Sequence, residues 1–566
     1  MSELSDRGVR GLFVLLALTL LLMLLQTGRT PLFEPDEGRY AEIPREMLAT
    51  GDFVTPRLNG VLYFEKPPLY YWLVAGSMAL LGPGEWAVRL PGMIASAGMV
   101  LLTVAFARRR WGLRTALLAG IVTGTSVLVF VLARIAIIDP VLSLALSAAA
   151  FAFCSFLEAE WRGDARAARS ALYGLAVASA AAVMLKGLIG IVLPGGAIAV
   201  YVMLSGRWNL VPKLLAPGPI VVFLLLAVPW HVAVARRNPD FLQFYFVHEH
   251  FDRFVKSDHR RGGHPLYFVA VLLAGFLPWT GFFGRLRETF PTRLAALRDR
   301  GSESFLWIWS LVVFIFFSLS RSKLIPYLEP IWPALGLLLA IGIERARQRG
   351  RAFGAERLLT AVLFLALLGT GVFFGLGAGY LAAWGATRLG IATLSTLLLI
   401  VTFCSFPRLR GRLSGRRTGL SGIDPIPGIA GPWLAFLFGL LLILPSAARQ
   451  ITPWPLVSQL LPELKPGDLL VQRGHYLQGA PFYAKRLTPI FALGWHELDF
   501  GRSHPGTEAL FPTEEAFRAL WTGPERVLAI VHEGNVRDFG NPATGLPRGR
   551  ELARTENGKY VLIVNR

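Results

Sequence analysis

Stretches of about 18 to 22 apolar residues recur along the chain as far as Leu444, and no other feature restricts its fold so strongly. The hydrocarbon core of a bilayer is about 30 Å thick and offers no water to peptide groups, so a crossing segment must be a helix of about 20 residues. Hydropathy places about thirteen spans, near 11–26, 86–106, 113–131, 138–157, 169–185, 188–205, 215–235, 266–284, 303–319, 325–343, 358–383, 389–406 and 430–447. With 54% hydrophobic and 17% charged residues and a mean hydropathy of +0.50, the composition excludes an ordinary soluble enzyme. The first run follows Arg7 and Arg10 as a signal peptide would, but it is long, lacks an A-x-A-like site and precedes further spans; it reads as an uncleaved helix. Cys154 and Cys404 fall in separate spans and form neither a disulfide framework nor a CxxC site.

The net charge of +20 would suit a nucleic-acid partner were it not for its distribution. Basic clusters occupy every second loop: Arg108, Arg109, Arg110 and Arg114; Arg162, Arg166 and Arg169; Arg207 and Lys213; Arg285 to Arg300; Arg345 to Arg357; Arg408 to Arg417. This is the cytoplasmic bias of lysine and arginine, with anionic lipid as a further contact, and it argues against nucleic acid. The N-terminus is then cytoplasmic. Loops 27–85, 132–138, 186–187, 236–265, 320–324 and 384–388 face the other side, with the tail. The expected organisation is a membrane domain over 1–448, with long outer loops 27–85 and 236–265, and a soluble α/β domain over 449–566. In the tail, strand-like 467–472, 487–493, 526–532 and 560–565 alternate with helix-like 475–485 and 513–521, and no catalytic constellation is evident.

The outer loops carry the chemistry-bearing residues. Asp36 and Arg39 sit with Tyr40 in Glu34-Pro35-Asp36-Glu37-Gly38-Arg39-Tyr40, directly after the first span. A solvated acidic loop is the plain alternative, but carboxylates mixed with arginine and tyrosine can supply a base, a metal ligand or a phosphate contact. In Tyr63-Phe64-Glu65-Lys66-Pro67-Pro68, Lys66 either snorkels to headgroups or places a point charge on a phosphate, leaving Glu65 for a cation. Asp139, before Pro140, is explained equally by helix capping. Lys186 lies between apolar runs with no other charge near it in sequence, which favours a bound anion. His248, Glu249, His250, Asp252 and Arg253 form the dense histidine cluster, followed by Asp258, His259 and His264. Its spacing fits no closed zinc site, but with Glu65 it could form an open one for a divalent cation such as zinc.

Residues 34–73, 134–140, 184–187, 249–279 and 320–335 together resemble the bacterial membrane glycosyltransferases that include the lipid A aminoarabinose transferase, and more distantly the protein O-mannosyltransferases. The resemblance covers the membrane region well and the tail poorly. It implies a class-C glycosyltransferase fold of thirteen helices with a periplasmic domain, an inner-membrane location and a polyprenyl-phosphate sugar donor. Carried over by position, it makes Asp36 the principal catalytic carboxylate and Asp139 a second one. It gives Arg39, Tyr40, Lys66, Lys186, Arg253, Lys323 and Tyr327 to the substrate, and Glu65 with His248 or His250 to a divalent cation. Asp252 departs from the pattern of the most similar members. The acceptor implied is lipid A; a protein or glycan hydroxyl is the alternative, and a lipid or solute transporter the rival class. Charges in long loops rather than in span centres favour the enzyme.

Overall fold

The structure, a computed structural model, describes residues 2–25, 28, 30–245, 264–292, 297–298, 301–351, 353–354, 356, 358–360, 362, 425–494, 497–555 and 558–566. The expected spans at 358–383 and 389–406, the cluster Arg408 to Arg417, Cys404, His248, His250, Asp252, Arg253, Asp258 and His259 lie wholly or almost wholly outside the described residues. The chain divides into two compact units: Met1–Leu25, Gly92–Arg134 and Ile138–Leu441, and Gln26–Pro91, Ile135–Ile137 and Leu442–Arg566. The tail therefore shares a unit with the first outer loop.

The first unit is helical. Among the described residues, Glu85–Thr125, Asp139–Trp161, Ala165–Lys186, Pro217–Arg237, Gly301–Leu319 and Ile325–Gln348 are long and apolar enough to cross a membrane. Glu85–Thr125 contains the spans expected at 86–106 and 113–131, parted at Gly112, whose φ of 83° suits glycine. Its second half stops short at extended Ser126 before Val127–Leu132. The span expected over 266–284 is Tyr267–Gly275 and Trp279–Glu288, bent by 101°. Pro278 lies at the bend, where it has no N–H to continue the ladder.

The helix Asp139–Trp161 orders this unit. It returns through a short turn into Ala165–Lys186, where Asp164 caps the second helix by accepting from the Ala167 N–H at 2.9 Å. Near its far end, Arg110 and Ser302 share Glu158. Arg345 holds Glu303 with two bonds of 2.8 and 2.6 Å, and Arg114 and Arg347 share Glu344. Basic residues from loops far apart in sequence thus meet glutamates at helix ends. Asp139 is the residue at the opposite end, about 30 Å along a helix of this length.

The second unit is built on a five-stranded sheet, in the order Ile490–Phe491, Leu469–Arg473, Val527–His532, Tyr560–Val564, Arg550–Arg554. The first three strands are parallel, and the last two pair antiparallel. Alternation sorts the side chains: Val527, Ala529, Val531, Val561 and Ile563 pack with Phe517 and Trp521, while Leu528, Ile530, Leu562 and Val564 pack with Leu456 and Leu460. Arg550–Arg554, a polar edge strand, was not anticipated from sequence because it lacks an apolar run.

The expected outer loop contains regular elements over residues 30–85. It contains the helices Asp36–Thr50 and Leu69–Leu81 and a hairpin of Arg57–Leu58 with Val61–Leu62. Asn59 and Gly60 take positive φ of 52° and 80°, as a two-residue hairpin turn requires. The Asn59 amide exchanges hydrogen bonds of 2.8 and 2.9 Å with the Thr488 backbone, joining hairpin to tail. Glu46 accepts from the Gly60 N–H at 2.9 Å, and burial, reinforced by Glu42, pushes its carboxyl up to about 8.

Candidate active site

In the helical unit, Asp139 and Lys186 meet because their helices, of 23 and 22 residues, run antiparallel from one turn. Lys186 Nζ donates to Asp139 Oδ1 at 2.5 Å, and each charge sits at the helix end whose dipole favours it. The Lys186 ammonium also lies 4.6 Å from the centre of the Tyr327 ring. Two expectations are corrected here. Asp139 is not the N-cap, a place held by Ile138, and its carboxylate serves Lys186. Lys186 in turn has a charge beside it, from 47 positions away. A residue the sequence reading passed over joins them: Glu329 is fully buried, accepts from Ser143 Oγ at 3.1 Å and lies in electrostatic range of both Asp139 and Lys186.

In the second unit, the acidic segment sorts its three carboxylates into different tasks. Glu37 and Arg89 form a buried bidentate pair of 2.7 and 2.6 Å, and Glu37 also accepts from the Phe33 and Ala136 N–H groups. Glu34 accepts from the Gln478 and Gly479 N–H groups at 3.0 and 2.7 Å. Burial pushes its carboxyl up to about 8 although both bonds favour the charged form; the residue as a whole is half-buried. Asp36 is left as the accessible one, with its side chain 56% exposed. It accepts from Arg39 Nη1 at 2.9 Å.

Arg39 is buried, and its Nη2 donates to Glu497 from the tail. Its guanidinium lies 5.9 Å from the centre of the Tyr63 ring. Burial, opposed by Arg39, holds the Tyr63 hydroxyl well above its ordinary value, so it remains neutral. Lys66 Nζ donates to the Glu65 carbonyl at 2.7 Å and lies 3.9 Å from the Glu65 carboxylate, which is itself in electrostatic range of Arg39. Among the described residues, two cations, Arg39 and Lys66, thus stand among three carboxylates, Asp36, Glu65 and Glu497. The tail contributes Glu497 to this polar group. Glu497 carries no sequence signal, because its partner is 458 positions away.

Other expected residues are placed differently. Tyr40 packs edge-on to Tyr70 at 5.0 Å in the unit's interior. Lys323 Nζ donates to the Ser318 and Ser320 carbonyls at 2.8 and 2.9 Å, tying off Gly301–Leu319. His248, His250 and Arg253 lie outside the described residues. Among the described residues, no group of three or more His, Cys, Asp or Glu side chains is arranged to hold a metal ion.

Residues 9–245 match the profile of dolichyl-phosphate-mannose-protein mannosyltransferase, and 456–564 match the aminoarabinose transferase C-terminal domain. The chain is 33% identical to the undecaprenyl phosphate-alpha-4-amino-4-deoxy-L-arabinose arabinosyl transferase of Edwardsiella ictaluri, across 98% of this chain and 99% of that protein. It is 34% identical to the same transferase of Serratia proteamaculans over 69% of its own length and 71% of that protein. The structure is similar to that of ArnT from Cupriavidus metallidurans bound to undecaprenyl phosphate, with a TM-score of 0.82, 27% identity and 98% of each chain covered.

Proposed function

The chain belongs to the family of undecaprenyl phosphate-aminoarabinose arabinosyl transferases, and from that premise we propose that it moves aminoarabinose or a related sugar from a polyprenyl phosphate to a lipid A phosphate at the periplasmic face of the inner membrane. It is a multi-pass membrane glycosyltransferase with the class-C fold. The observation that carries the site assignment is the sorting of Glu34, Asp36 and Glu37, which leaves Asp36 alone accessible beside a buried arginine.

The bond from the sugar's anomeric carbon to the carrier phosphate breaks, and a bond to an acceptor phosphate oxygen forms. The carrier leaves as a phosphomonoester with one more negative charge, and the acceptor, a dianion at neutral pH, becomes a diester with one fewer. No proton has to leave, so Asp36 need not act as a base. It orients the acceptor or steadies positive charge developing on the sugar, while Arg39 and Lys66 offset charge on the departing phosphate. Asp139, Lys186 and Tyr327 form the second polar group assigned to this reaction. Glu65 with His248 or His250 would hold a divalent cation. That fits the excess of carboxylates around Arg39, and the ion would supply positive charge toward phosphate.

The outward placement is supported by the basic loops, whose arginines meet at helix ends remote from Asp139. The mannosyltransferase profile over 9–245 favours a second reading, transfer to a hydroxyl. Purified protein given labelled aminoarabinosyl undecaprenyl phosphate should label lipid A and fail to label the same lipid stripped of its phosphates. Equal labelling of the stripped lipid would overturn the phosphate acceptor in favour of a hydroxyl.

A further inference from the structure

Arg39 is shared by two carboxylates of different character. Asp36 comes from the preceding turn of the same helix and is 56% exposed; Glu497 comes from the C-terminal domain and is 15% exposed. Glu497 is braced in turn: its Oε1 accepts from Gln478 Nε2 at 2.8 Å, and the Gln478 backbone is held by Glu34. A carboxylate can only accept, so Glu497 also decides which end of the Gln478 amide faces it. The guanidinium has five N–H donors. Nη1 reaches Asp36 and Nη2 reaches Glu497, while the buried Nε has no hydrogen-bond partner among the described residues. An incoming anion therefore meets one edge already anchored from the tail and another closed only by an exposed aspartate. Displacing the exposed partner costs little, because water and ligand replace it; displacing the enclosed one would strand a charge.

We propose that Glu497 is a positioning residue of the transferase site, holding one edge of the Arg39 guanidinium so that Asp36 and the carrier phosphate exchange at the other. This rests on the reading of Arg39 as a phosphate contact. Donor arrival then releases Asp36 at the moment the sugar needs it. Without Glu497, the guanidinium is free to grip Asp36 with two parallel bonds, the stronger arrangement, and phosphate must break both. The C-terminal domain thereby acts on the reaction through Arg39 without touching substrate.

The test is binding of undecaprenyl phosphate to the full-length protein in detergent at fixed salt, which does not depend on transfer. Arg39→Ala should weaken binding. Glu497→Gln should weaken it about tenfold, the scale of one charge-assisted hydrogen bond. Adding Asp36→Asn to Glu497→Gln should restore affinity to within about twofold of wild type, because the competitor for Arg39 is gone. A glutamate that merely docked the tail would not be rescued by a change at Asp36. The proposal is overturned if Glu497→Gln binds normally while Arg39→Ala does not, or if the double variant stays weak. If Arg39→Ala itself binds normally, the phosphate role of Arg39 falls and the proposal with it. Should Glu497→Gln not fold, Gln478→Leu, which loosens Glu497 without removing it, is held to the same rescue.

Discussion

In the helical unit, Asp139 meets Lys186 because two helices of nearly equal length leave one turn side by side, so their free ends must coincide. In the second unit, Arg39 meets Glu497 because a sheet assembled from the last hundred residues carries a loop back to a helix near the start of the chain. The first pairing is enclosed, with buried Glu329 beside it, and is set by helix geometry. The second gathers three carboxylates about two cations and leaves one of them exposed. A closed pair resists change, whereas an unbalanced cluster with one accessible member can exchange partners. That contrast separates an enclosed group, Asp139 with Lys186, from one with an accessible member, Asp36 with Arg39.

The largest effect that tests this contrast is expected at Asp36. Asp36→Asn should lower sugar transfer by about 10² to 10³, the usual loss when an electrostatic contact to the reacting group is removed, with little change in thermal stability because the side chain is exposed. Comparable destabilisation would make Asp36 structural and erase the distinction. Next comes the enclosed pair. Asp139→Ala removes the carboxylate hydrogen-bonded to Lys186, which is 12% exposed, and should cost about 2 to 3 kcal/mol in denaturant unfolding. Combining it with Lys186→Met should recover most of that stability but not activity; a double variant as unstable as the sum of its parts would show the two charges uncoupled.

The smallest expected effect is a pH dependence. The folded-state value of Glu34, about 8, lies above its ordinary 4.5, so the folded protein binds more protons between them. The associated stability is complete below about 4.5, and is lost as pH rises through about 8, at a slope on the order of 1 kcal/mol per pH unit or less. Glu46 has the same sign and a similar value, so Glu34→Gln should flatten the slope without abolishing it. An unchanged slope, followed by thermal unfolding between pH 5 and 8, would place the Glu34 carboxyl in contact with water.

Much of this was legible in one dimension. Apolar runs gave spans, because hydropathy and helix length are local. Break points were harder: Gly112 fell between two expected spans, but the 101° bend at Pro278 falls inside the span expected over 266–284, where hydropathy averages across it. In the tail, apolar runs located four of the five strands, and the polar edge strand Arg550–Arg554 escaped for want of such a run. Lys323 and Tyr40 were given to the substrate by resemblance alone, which says nothing of their neighbours within the protein. The structure gives one to a helix end and the other to an aromatic cluster.

The sequence by itself determined that the chain lives in a bilayer, which loops carry its cations, that a sheet domain closes it, and which motifs hold unusual polar residues. Each follows from composition, period or spacing along the chain. The tertiary structure alone decided which of Glu34, Asp36 and Glu37 is accessible, that Lys186 has a carboxylate beside it, and that Glu497 reaches Arg39. The physical reason is that a charge is defined by its partners and its exposure, and here those partners lie as far as 458 positions away.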